Sequence, residues 1–139
     1  MQPLRGKLSG VRAIDTNVIV RFLTADDPAQ AAVARRAIEA GEIFISTTVL
    51  LETEWVLRSG YGFSSEAIGT ALAGLAGLPG VAVEDPLALA SALDGMAGGM
   101  DFADALHLAK ADGCIAFLSF DLKLAKAAKG RSSVPVMVP

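Results

Sequence analysis

Apolar positions along this chain follow two spacings. Short, nearly continuous runs, VRAID (11–15), EIFIS (42–46), VAVED (81–85), CIAFLSF (114–120) and VPVMV (134–138), carry the β-branched and aromatic residues that favour strands. Between them lie longer stretches in which apolar residues return every three to four positions, as on one face of a helix. Thr16 and Asn17 offer capping groups to a short helix through VIVRFL, and Asp27 followed by Pro28 opens a second through AQAAVARRAIEA. TTVLLETEWVLR is helical to a stop at Gly60, Ser64 or Ser65 begins AIGTALAGLAGL, and Asp85 with Pro86 opens another helix. GMAGG (95–99) reads as a loop with room to move before the helix DFADALHLAKA. DLKLAKAA is a last short helix, and Pro135 marks VPVMV as an edge strand.

Strands that alternate with helices argue for an α/β fold, a parallel sheet covered on both faces with right-handed crossovers. The length of 139 residues, 53% of them hydrophobic, suits one domain, expected over residues 11–139, with a polar, flexible arm at residues 1–10. Its apolar stretches are interrupted by Glu52, Arg58 or glycine well short of the roughly 18 residues of a membrane span, so no membrane association is expected. Arg5 and Lys7 near the start precede no apolar core of a secretory leader, and the cytoplasm is the expected location.

Against this apolar background four acids stand out: Asp15, Glu52, Asp104 and Asp121. Asp15 and Asp121 close strand-like runs, and in an open parallel sheet ligands bind beyond the carboxyl ends of the strands. Glu52 shares a stripe with Val49 and Val56 and is expected to face inward, whereas Glu54 is expected to be solvated. Asp104 has Asp101 three residues before it, which puts two carboxylates on one side of a helix start. Carboxylates in apolar surroundings are costly unless paired or bound to a cation. One His and one Cys leave oxygen as the donor, which suits Mg2+ or Mn2+. Such a metal activates water for phosphodiester hydrolysis without a His or Ser nucleophile.

Each acid also has a plain structural reading. Asp15 and Asp121 could cap the helices that follow them, Asp101 and Asp104 could form a capping pair, and Glu52 could be buried against an arginine. His107 is read as a partly buried histidine bonded to a neighbour, Trp55 and Phe102 as core or interface residues, and Cys114 as buried and inert. The net charge of −3 lacks the basic balance of many nucleic-acid binders, so any phosphate contact must be local. Lys123, Lys126, Lys129 and Arg131 are the candidates, against the alternative of a solvated helix face.

The opening AIDTNVIVRFL, the helix LLETEWVL, the segment DFADALHLA and the run LSFD before a lysine-bearing helix together resemble the PIN domains, and within them the VapC-type toxins of bacterial toxin–antitoxin pairs. The resemblance covers roughly residues 11–138. It implies a three-layer α/β/α sandwich around a mostly parallel sheet of four to five strands, and a Mg2+- or Mn2+-dependent ribonuclease. The family's four acids fall on Asp15, Glu52, Asp104 and Asp121, with Asp101 competing with Asp104 for the third place. Thr16, Asn17 and Ser119 match accessory polar positions. A homodimer inhibited by a small antitoxin whose tail reaches toward the active site is also implied. Two other readings stand beside it: a metal-dependent phosphatase with Asp15 as covalent nucleophile, which would want a second Asp where this chain has Asn17, and a catalytically inactive PIN-like binding module.

Overall fold

A computed structural model describes residues 10–139, so the expected arm lies, apart from Gly10, outside the described residues. The chain divides into two compact units, Met1–Asp85 and Pro86–Pro139. In the first, β1 (Arg12–Ala13), α1 (Thr16–Thr24), α2 (Pro28–Glu39), β2 (Ile43–Ile45), α3 (Thr47–Ser59), α4 (Ser65–Ala76) and β3 (Val81–Val83) follow one another. The second holds α5 (Pro86–Ala97), α6 (Phe102–Lys110), β4 (Phe117–Leu118), α7 (Leu122–Ala128) and β5 (Val136–Met137). Every element expected from the hydrophobic spacing is present. Among the described residues, no helix is long and apolar enough to cross a membrane.

All strand pairing is parallel, as the alternation with helices requires. In the first unit the order is β1-β2-β3, with Arg12 opposite Ile43 and Ile43 opposite Val81. In the second unit β4 pairs with β5, Phe117 opposite Val136. The fold is thus the expected mixed α/β with parallel sheet. Its ladders are shorter than the apolar runs, and two of those runs, VRAID and EIFIS, end in residues that cap the next helix, Asp15 and Ser46.

Burial follows position in the sheet. Ile43 and Ile45 of the central β2 are fully buried, and Ile19, Leu57, Ile68, Leu72 and Leu75 from the covering helices complete the core of that unit. VRAID and CIAFLSF were expected to be buried strands, but Arg12, Ala13 and Leu118 are exposed. Within its own unit each of these strands has one ladder partner among the described residues, β2 for β1 and β5 for β4. Arg12 uses its exposure: its Nη2 donates to the carbonyls of Ala37 (2.7 Å) and Gly41 (3.3 Å) at the end of α2, where a cation suits the helix C-terminus.

A second polar cluster ties the end of α1 to the turn after α3. The Tyr61 hydroxyl donates to Asp26 Oδ2 at 2.7 Å, Thr24 donates to Asp26 Oδ1 at 3.0 Å, and Arg21 reaches Asp26, Tyr61 and Gln30. The Tyr61 hydrogen bond, with help from Thr24 and the Arg21 charge, holds the Asp26 carboxyl below its ordinary value.

The segment GMAGG differs from its reading as a loop. Gly95 and Met96 are buried inside α5, and only Gly98 to Met100 link it to α6. Glycine is tolerated there because α6 comes so close: a Cβ at position 95 would stand 2.9 Å from Ala105 Cβ and 3.3 Å from Met100 Sδ. Gly95→Val should therefore destabilise the protein by about 1–3 kcal/mol, the usual cost of overpacking a filled interior. Urea unfolding measures this, and an unchanged midpoint would contradict the close α5–α6 contact.

Candidate active site

In the first unit, β1 hands over directly to the site residues. Ile14 N–H still donates to Phe44 O at 3.3 Å, and Asp15 is the first residue off the strand. It is the N-cap of α1, its Oδ1 accepting from Val18 N–H at 3.3 Å, so the capping expected of Thr16 and Asn17 falls to Asp15 itself. Thr16 has another task. It is buried, and its hydroxyl donates to Glu52 Oε1 at 2.5 Å across 36 residues of sequence. Asn17 is exposed and lines a groove of about 450 Å3 between α1 and α2, floored by Val18, Ala29, Val33, Ala34 and Ala37.

The expected orientation of α3 is reversed at its two glutamates. Its buried face is Leu50, Thr53, Glu54 and Leu57, at helical i, i+3, i+4 and i+7 spacing. Glu52 is exposed, and Glu54, expected to be solvated, is only 3% exposed. The buried pairing with arginine considered for Glu52 belongs to Glu54 instead, whose Oε2 accepts from Arg58 Nε at 2.8 Å. The glutamate-to-arginine i,i+4 spacing was the available signal for that pair. No local signal marked the link between Thr16 and Glu52.

The second unit gathers three acids. Asp101 is the N-cap of α6, its Oδ2 accepting from Asp104 N–H at 3.1 Å, so the capping pair is real. Asp121 is the N-cap of α7 and accepts at Oδ1 from Lys123 N–H (2.9 Å) and Leu124 N–H (3.1 Å). Ser119 Oγ accepts from Asp121 N–H at 3.0 Å and so fixes the backbone that carries this acid. Of the three, Asp104 alone is half-buried. Its burial, together with the negative charges of Asp101 and Asp121, pushes its carboxyl above the ordinary value, while His107 pulls the other way.

Three further expectations change. Of the four acids expected in apolar surroundings, Asp15, Glu52 and Asp121 are exposed, their negative charge met by helix N–H groups or by Thr16, and Asp104 is half-buried. His107 and Cys114, expected to be partly and fully buried, are both exposed, His107 on the outer face of α6 and Cys114 just before the edge strand β4. Phe102 is buried as expected, and Trp55 is 57% exposed on α3 and so is not a core residue.

Lys123, Lys126 and Lys129 are exposed and make no ion pair among the described residues. Their three-residue spacing is helical only for the first two, because Lys129 is the extended C-cap of α7. Arg131 lies beyond the helix with its Nη1 3.9 Å from Asp94.

The donors available are carboxylates and hydroxyls, hard oxygens that fit Mg2+ or Mn2+. Among the described residues, neither unit by itself groups three or more His, Cys, Asp or Glu side chains as a metal cage. The crowding of negative charge on Asp104 nevertheless fits a cation, which would remove the repulsion.

Comparison with known families places a profile described as PIN domain on residues 13–130. Neither the curated proteins nor the solved structures compared with the chain yield a match.

The raised carboxyl of Asp104 has a consequence for stability. A folded acid that holds its proton more tightly than the unfolded chain works against folding once ionised, and the penalty vanishes as pH falls below the ordinary 3.8. With chelator present, Asp104→Asn should raise the urea midpoint at neutral pH and leave it unchanged well below that value. An equal effect at both pH values would show that the charge is not the cause.

Proposed function

Because this chain belongs to the PIN domain family, whose members are typically metal-dependent nucleases, we propose that it is a Mg2+- or Mn2+-dependent endoribonuclease and the toxin of a toxin–antitoxin pair. Asp15, Glu52, Asp104 and Asp121 bind the metal, with Asp101 contributing through its charge on Asp104. The observation that carries this reading is the charge crowding in the second unit: Asp104 is pushed up by Asp101 and Asp121, an arrangement that favours a bound cation.

A divalent ion, when bound, supplies an acidified water and neutralises charge on the scissile phosphate. The chain's own residues prepare the place. The Asp15 and Asp121 carboxylates are each oriented by helix N–H groups through one oxygen, and among the described residues the second oxygen accepts no hydrogen bond. Thr16 locks one oxygen of Glu52 and leaves Oε2 to act. Ser119 sets the backbone at Asp121. Lys123, Lys126 and Lys129 offer ammonium groups to RNA phosphates, which an acidic protein must attract locally. The phosphatase alternative wants an acid where this chain has the exposed Asn17, and nothing favours it.

The groove between α1 and α2, whose rim residue Asn17 adjoins Thr16, offers an apolar seat for an antitoxin segment reaching toward the acids. The exposed Trp55 on α3 supports a homodimer. The cytoplasm, where RNA is met, is the place of action.

Purified protein should cut single-stranded RNA in Mg2+ or Mn2+ and stop on addition of chelator. Thr16→Val should slow cleavage by about 10–100-fold, the usual loss when a group that orients a ligand is removed, and Thr16→Ser should restore it. Asp15→Asn and Glu52→Gln should cost more than Thr16→Val. Full activity in Asp15→Asn would defeat the assignment.

A further inference from the structure

We propose that Arg131 is a positioning residue for the acids of α6 and not a contact to RNA phosphate. Its guanidinium is seated on the C-terminal end of α5 and holds the turn that delivers Asp101 and Asp104. The importance of those acids rests on the nuclease reading above, but the seat itself is geometric.

The seat is defined by Gly98. A Cβ at that position would collide with Nη1, Nη2 and Cζ of Arg131, so the guanidinium lies directly against main chain that a glycine leaves bare. This is the end of α5, where Gly98 N–H donates to the carbonyls of Asp94 and Gly95 (both 3.1 Å). The last carbonyls of a helix carry partial negative charge, and a cation there is favoured. The ion pair with Asp94 adds little, since its 3.9 Å separation and the 84% exposure of Asp94 leave it screened by water.

From this seat the path to the acids is short. Met100 N–H donates to Gly95 O at 3.0 Å and its buried side chain faces Gly95, so the residues between Gly98 and Asp101 are held on α5. Asp101 then caps α6, and Asp104 follows in its first turn. At the other end, Arg131 N–H donates to Ala128 O at 3.0 Å, at the close of the helix that Asp121 opens. One residue therefore ties the end of the Asp121 helix to the turn that precedes Asp101 and Asp104. Lys123, Lys126 and Lys129 have no comparable engagement among the described residues.

Gly98→Ala separates the two roles, because it pushes the guanidinium off its seat without removing its charge. The new methyl meets the far end of a flexible side chain, and the backbone at Gly98 is not in the left-handed region, so the variant should fold. Three measurements on the full chain decide the matter: amide hydrogen exchange at residues 100–104, Mn2+ binding by calorimetry, and the salt dependence of binding to a single-stranded RNA oligonucleotide. Arg131→Ala and Gly98→Ala should both speed exchange and weaken Mn2+ binding by about tenfold. Arg131→Lys should not restore either, because an ammonium lacks the flat face that lies on Gly98. Both variants should leave the salt slope as in the wild type. The proposal is overturned if Arg131→Ala lowers that slope by about 0.7, the loss of one phosphate contact on a single strand, while Gly98→Ala is silent and exchange is unchanged. Should the wild type bind no Mn2+, the nuclease reading fails and exchange alone decides the seat: faster in both variants upholds it, unchanged in both overturns it.

Discussion

An α-helix begins with N–H groups that have no partner inside it, and in this chain the side chains that satisfy them include aspartates of the proposed metal site. Asp15 caps α1, Asp101 caps α6 and Asp121 caps α7. Each such cap is worth about 0.5–2 kcal/mol, so folding the helices and aiming the carboxylates are one event. The cap uses one oxygen of each carboxylate and fixes the direction of the other. It also means that asparagine, an equally good cap, removes charge at these positions while the helix keeps its start.

This dual use explains what could be read from the sequence. Element order was legible because the spacing of apolar residues changes between strand and helix, and because Pro28 and Pro86 sit at helix starts as expected. Asp15 and Asp121 were legible as acids at strand ends. Their environment was not, since β1 and β4 look like buried strands in composition but leave Arg12, Ala13 and Leu118 exposed. Gly95 misled for a related reason: glycine signals a loop locally, and only the closeness of Ala105 shows that it is a packing residue inside a helix. Long-range side-chain contacts left no local trace, as with Thr16 and Glu52.

Glu52 and Glu54 show how two acids one residue apart are given different work. Both lie on α3, but the buried face passes through Glu54, whose charge is met by Arg58 on the same helix. Removing Arg58 would leave a buried charge unmatched, so that pair is a structural commitment. Glu52 lies off this face. It is held by a hydroxyl, which restrains one carboxylate oxygen without bringing a countercharge to it. Thr16 can do this because it is buried immediately after the cap residue, where the turn from strand to helix points its side chain inward.

The same separation of roles applies to the positive charges. A protein with net charge −3 repels RNA at long range, and each exposed lysine near the acids counts for more than it would on a basic surface. Lys123 is the second residue after the Asp121 cap and, in the proposed nuclease, is offered to a phosphate held near that acid. A guanidinium beside it would compete with the proposed metal for the carboxylates, binding them in bidentate fashion and drawing down the charge that would attract a cation. Seating Arg131 on the end of α5 keeps that competitor away from the acids while its charge still counts in the field of the second unit. On the proposed reading, flexible ammonium groups offered to phosphate and a fixed guanidinium at a helix end divide between them what the bare sequence presents as one basic run.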